Sequence, residues 1–143
     1  MSRFAYVNGS YVPHREAAVH IEDRGYQFGD GVYEVILLIH GKMADCEGHL
    51  KRLNRSLCKL KMKSPVSEGA LRQNMARLTR LNRLKTGTIY IQITRGVARR
   101  DHSFPKHSRP SLVMTVKHMS LDTGRQLAGK SAITVPSSRQ KGE

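Results

Sequence analysis

Two stretches with helical periodicity, residues 47–62 and 70–84, sit between segments that read as strands, and this order constrains the fold more than any other feature. In the first, Leu50, Leu53, Leu57 and Leu60 recur at alternating spacings of three and four. In the second, Leu71, Met75, Leu78 and Leu81 form a similar stripe. Such spacing lines one face of a helix with apolar side chains and leaves the other faces to water. Ser64-Pro65 ends the first helix, Ser67 caps the second, and Lys85-Thr86-Gly87 is expected to close it.

The strand signals lie on both sides of this helix pair. Residues 4–13 are two short strand-like pieces around Asn8-Gly9, a dipeptide whose members both tolerate the positive φ of a tight hairpin turn. Residues 32–39 form a nearly continuous apolar run bounded by Gly31 and His40-Gly41, which suits a buried strand. Residues 88–94 alternate, residues 112–116 form another strand, and Ala132-Ile133-Thr134-Val135 reads as a further one. The expectation is an α+β domain, an antiparallel sheet with two helices packed on one face. Residues 1–120 are expected to make up this domain.

The formal charge of +14 comes from 25 Lys and Arg against 11 Asp and Glu. The cations concentrate on the outer faces of the two helices, without the interleaved aromatics that stack nucleic-acid bases. They read as solvated helix faces, with attraction to polyanions as a by-product. A nonenzymatic module that binds polyanions or pairs with another subunit is the alternative from a different functional class. Cys46 and Cys58 have neither metal-ligand spacing nor the look of a disulfide framework, so reduced thiols are expected. The longest aliphatic run, residues 35–39, is far too short to cross a bilayer, and no signal-peptide core follows the first residue. A cytoplasmic chain with no membrane partner is expected.

The segment Glu22-Asp23-Arg24-Gly25-Tyr26-Gln27-Phe28-Gly29-Asp30-Gly31-Val32-Tyr33-Glu34 carries three glycines within seven positions and reads as a shaped loop entering a strand. Two later motifs accompany it. One is His49-Leu50-Lys51-Arg52-Leu53; the other is Ile89-Tyr90-Ile91-Gln92-Ile93-Thr94-Arg95-Gly96 with Arg100-Asp101-His102-Ser103-Phe104-Pro105. In this order and spacing they resemble the class IV pyridoxal-phosphate-dependent aminotransferases, most closely the D-amino-acid branch, from about residue 6 to about residue 139.

The resemblance implies the amino-terminal domain of a fold type IV enzyme that exchanges an amino group between a D-amino acid and a 2-oxo acid, with residues 121–143 as the interdomain linker and the start of its cofactor-binding domain. Branched-chain aminotransferase and aminodeoxychorismate lyase remain as alternatives within the family. It implies that Arg52 grips the cofactor phosphate and that Tyr33, Arg100 and His102 bind the substrate carboxylate. It also implies pyridoxal 5'-phosphate as cofactor and a homodimer as the usual assembly. The lysine that holds the cofactor covalently follows later in the family. Lys141 shares none of that lysine's surroundings, so no catalytic residue is assigned in this chain. The chain alone is expected to be inactive.

Overall fold

The computed structural model describes residues 3–120, 129 and 131–134. The first strands, β1 (Phe4–Val7) and β2 (Ser10–Pro13), form the anticipated hairpin; Asn8 and Gly9 take φ values of 47° and 103°. After a 3₁₀ turn at His14–Glu16 come the short helix α1 (Arg24–Phe28) and strand β3 (Gly31–Ile39). A two-residue strand, β4 (Lys42–Met43), precedes helices α2 (Cys46–Lys59) and α3 (Glu68–Leu81). Strands β5 (Gly87–Thr94) and β6 (Ser111–His118) complete the order. They form one antiparallel sheet in the order β2-β1-β6-β5-β3-β4. No helix among the described residues is long and apolar enough to cross a membrane.

Register puts both side chains of every second cross-strand pair on the helix-covered face. Ile89, Ile91 and Ile93 of β5 lie opposite Val116, Met114 and Leu112 of β6, and all six are buried. Leu50, Leu53 and Leu57 of α2 and Leu71, Met75 and Leu78 of α3 close over them in one cluster. Each such side chain contributes about 1.5–3 kcal/mol by leaving water, so this layer is the main source of stability.

Several sequence expectations change. Strand β3 is not buried on both faces: Glu34, Ile36 and Leu38 face the helices, whereas Tyr33 and Val35 are exposed on the other side. Because helices cover one face only, an apolar run alternates in burial here. The segment before β3 contains a helical turn, capped by Asp23 through its hydrogen bond from the Gly25 N–H and ended by Gly29 at φ 65°.

Leu60 falls outside the core stripe. It is the C-cap of α2, Lys61 turns left-handed at φ 52°, and Met62 takes the buried position. Helix α3 ends three residues before the anticipated terminus because Asn82 caps it, donating to the Leu78 carbonyl, and Arg83 is left-handed. Residues 131–134 form no strand, and Ile133 is exposed. Val135 and Lys141 lie outside the described residues.

Candidate functional site at the free edge of β3

The connection of β3 to β5 is continuous, but β4 covers the other edge of β3 only at Leu38 and Ile39. Helix α2 packs against β3, and its residues His49 and Arg52, one turn apart, reach back to Glu34. Arg52 Nε donates to Glu34 Oε1 at 2.7 Å and Nη2 to Oε2 at 2.6 Å. His49 Nδ1 lies 2.7 Å from the same Oε2. The Arg52 hydrogen bonds outweigh burial, and His49 adds to them, so Glu34 titrates below its ordinary value.

Arg52 is held while remaining accessible. Its side chain is 56% exposed, whereas that of Glu34 is 2% exposed. Glu34 occupies Nε and one hydrogen of Nη2; Nη1 has no protein acceptor among the described residues. A guanidinium with spare donors, fixed by a buried carboxylate, suits a phosphate dianion. The residues present therefore fit the phosphate end of pyridoxal phosphate. Tyr33, next to Glu34 but on the opposite face, is within electrostatic range of Arg52 and stacks on Tyr90 at 5.7 Å between ring centroids.

Arg100 and His102 lie on the loop between β5 and β6, against α1. The Arg100 guanidinium sits 5.6 Å from the centre of the Phe28 ring, and the His102 ring lies 5.5 Å from it. The backbone beneath them is tied to buried Arg24, which meets a second buried arginine, Arg95, at Asp30. Arg24 Nη1 donates to the Asp101 carbonyl at 2.7 Å, and Arg24 Nε and Arg95 Nε both donate to Asp30 Oδ2, at 2.8 and 2.7 Å. Burial alone raises Asp30, but hydrogen bonds from Arg95 and Arg24 outweigh it and hold its carboxyl below the ordinary value.

The four anticipated site residues thus fall into two groups. Arg52 and Tyr33 belong to the β3–α2 region, though on opposite faces of the sheet, and Arg100 and His102 share Phe28. No contact among the described residues joins Tyr33 to Arg100 or His102. The sequence assigns no role to Glu34, Asp30, Arg24, Arg95 or His49. The spacing of His49 and Arg52 was the available signal for a shared helix face, whereas their carboxylate partner came from another element. Cys46 and Cys58 are free thiols, and no cluster of three metal-binding side chains occurs among the described residues.

Residues 31–142 match the family described as amino-transferase class IV. A D-alanine aminotransferase of Bacillus licheniformis is 36% identical over 132 residues, covering 92% of this chain and 47% of that protein. One from Listeria monocytogenes is 45% identical over 100 residues, covering 69% of this chain and 35% of the relative. The chain thus spans less than half the length of these curated relatives. Its fold matches a branched-chain amino acid aminotransferase of Escherichia coli with a TM-score of 0.77 at 19% identity, over 83% of this chain and 40% of the other. A 4-amino-4-deoxychorismate lyase of Pseudomonas aeruginosa matches with a TM-score of 0.64 at 27% identity, over 80% and 39%. The six-stranded antiparallel sheet is therefore the fold of the family's amino-terminal domain, and the chain belongs to the class IV aminotransferases.

Proposed function

We propose that this chain forms the phosphate-gripping and carboxylate-binding part of a transaminase that moves an amino group between a D-amino acid, of the D-alanine type, and a 2-oxo acid. The observation that carries the reading is the two-point hold of buried Glu34 on exposed Arg52 at the edge of β3. Pyridoxal phosphate, when bound, supplies the electron sink for bond changes at the amino-acid α-carbon. Arg52 anchors its phosphate through the outward donors, and Glu34 keeps that side chain from swinging into water. Tyr33 offers a hydroxyl, and Arg100 and His102 a cation and a ring N–H, to the substrate carboxylate.

The Arg100-x-His102 pair and the D-alanine aminotransferase relatives favour the D-amino-acid branch over the branched-chain and lyase alternatives. No lysine of these 143 residues is assigned the covalent hold on the cofactor. Borohydride reduction with the cofactor followed by peptide mapping should show no specific pyridoxyl-lysine. A cytoplasmic location and pairing with a second copy belong to the same reading; sedimentation velocity measures the pairing.

Titration of the isotope-labelled chain with pyridoxal phosphate and, separately, with pyruvate tests the assignment by NMR. The expected result is cofactor-induced shifts centred on Glu34, His49 and Arg52, lost in Arg52→Ala, and pyruvate-induced shifts at Tyr33, Arg100 and His102, lost in Arg100→Ala. A second reading, polyanion binding, draws on an open cleft of about 710 Å³ whose lining includes Lys61, Lys63, Lys106 and Arg109. Shifts spread over that cleft and erased by moderate salt, with none at Arg52, would favour it instead.

A further inference from the structure

The loop that carries Arg100 and His102 has no regular secondary structure, yet its backbone is fastened to a buried charge cluster. Asp30 sits between α1 and β3, with its side chain 8% exposed. Arg24 and Arg95, 3% and 10% exposed, converge on the same Asp30 oxygen. Each arginine then uses another nitrogen elsewhere. Arg24 Nη1 bonds the Asp101 carbonyl at 2.7 Å and lies 3.4 Å from that of Ser103, while Arg95 Nη2 bonds the Leu60 carbonyl at 3.0 Å.

The aromatic rings complete the frame. Phe28 lies 4.7 Å from the Arg24 guanidinium, and Phe104 lies 4.5 Å from that of Arg95. Phe28 is also the ring on which Arg100 and His102 rest. Two buried cations beside one anion are stable only while that anion is charged, since without it the guanidinium groups repel each other in a poorly solvated space.

We infer that Asp30 is a positioning residue for the substrate carboxylate: by holding Arg24, with Arg95 on its same oxygen, it fixes the Asp101–Ser103 backbone and presents Arg100 and His102 together over Phe28. The inference rests on the carboxylate role proposed for Arg100 and His102; the clamp itself rests on the contacts alone. Asp30 touches neither substrate nor cofactor in this scheme. Its effect travels through Arg24 to the loop.

The experiment compares the labelled full chain with Asp30→Asn, Asp30→Glu and Arg24→Lys, following the His102 imidazole resonance, the amides of residues 100–104 and pyruvate affinity. In Asp30→Asn the expected result is loss of the ring-induced displacement that Phe28 imposes on His102. Pyruvate affinity falls about tenfold, while amide signals of β3 and β5 stay in place. Asp30→Glu should recover part of both effects.

An unchanged His102 resonance and pyruvate affinity in a folded Asp30→Asn chain overturns the inference. Should that variant unfold, Arg24→Lys decides: it retains a cation for Asp30 but cannot span to the loop carbonyls, so a native His102 signal there also overturns the clamp. Failure of the wild-type chain to bind pyruvate counts against the carboxylate reading itself, and the His102 resonance then judges the clamp by itself.

Discussion

Glu34 and Arg52 join strand β3 to helix α2 with the anion inside and the cation at the rim: the Glu34 side chain is 2% exposed, that of Arg52 56%. The asymmetry assigns different tasks to the two partners. Glu34 bears the desolvation of the pair, while Arg52 keeps donors in water for an outside anion.

Glu34→Gln should therefore lower stability by about 1 kcal/mol, a modest loss because Arg52 is solvated and the exchange leaves hydrogen-bonding capacity behind. Urea unfolding measures it. Pyridoxal phosphate affinity should fall more noticeably than stability, since Arg52 loses its fixed orientation.

Acid should destabilise the fold through Glu34 and Asp30, both held below their ordinary carboxyl values, Glu34 chiefly by Arg52 and Asp30 by Arg95 and Arg24 against the upward push of burial. A carboxyl lowered in the folded state binds fewer protons there than in the unfolded chain. Its stabilisation is complete above its ordinary pKa of about 4 and is lost as pH falls through the lowered folded value. Urea midpoints should hold steady from about pH 7 to 5 and decline below about pH 4. In Asp30→Asn the decline should be shallower.

Asn82 ties the end of α3 to the first strand. Its Oδ1 accepts from the Arg3 and Phe4 N–H groups at 2.7 and 3.0 Å, and its Nδ2 donates to the Phe4 and Leu78 carbonyls at 3.1 and 2.9 Å. With the residue 3% exposed, Asn82→Ala strands these groups without ready access to water. A loss of about 2–3 kcal/mol is expected by denaturant unfolding, with faster amide exchange at Phe4.

Gly96 follows Arg95 at φ 89°, and a Cβ there would collide with the Arg109 carbonyl oxygen. Gly96→Ala combines left-handed strain with a backbone clash and should cost more than about 2 kcal/mol in thermal or urea unfolding. It should also disturb the amides of residues 95–110, because neither colliding group is a side chain that can rotate away.

The readable parts of the sequence were those whose signal is local. The leucine stripe of α2, the Asn8-Gly9 turn and the alternation of β5 each express one element's geometry within a short window. The misread parts depended on partners. The apolar run of β3 could not reveal that helices would cover only one of its faces, and Leu60 could not reveal that Lys61 would turn left-handed and send Met62 inward. For the candidate site, Arg52, Tyr33, Arg100 and His102 stood out through motif resemblance, whereas nothing local marked Glu34 and Asp30 as the carboxylates that hold Arg52, Arg24 and Arg95 in place.

The sequence by itself determined the two long helices and the principal strands, the antiparallel α+β class and the aminotransferase kinship, because periodicity, turn chemistry and motif spacing are written along the chain. Tertiary structure alone decided that Glu34 would meet Arg52 and that Asp30 would gather Arg24 and Arg95. The Arg24–Asp101 and Arg95–Asp30 contacts join residues separated by 77 and 65 positions. Such contacts arise only when strand register and helix packing bring the groups within hydrogen-bond reach, where a buried charge must find its partner or remain unpaired.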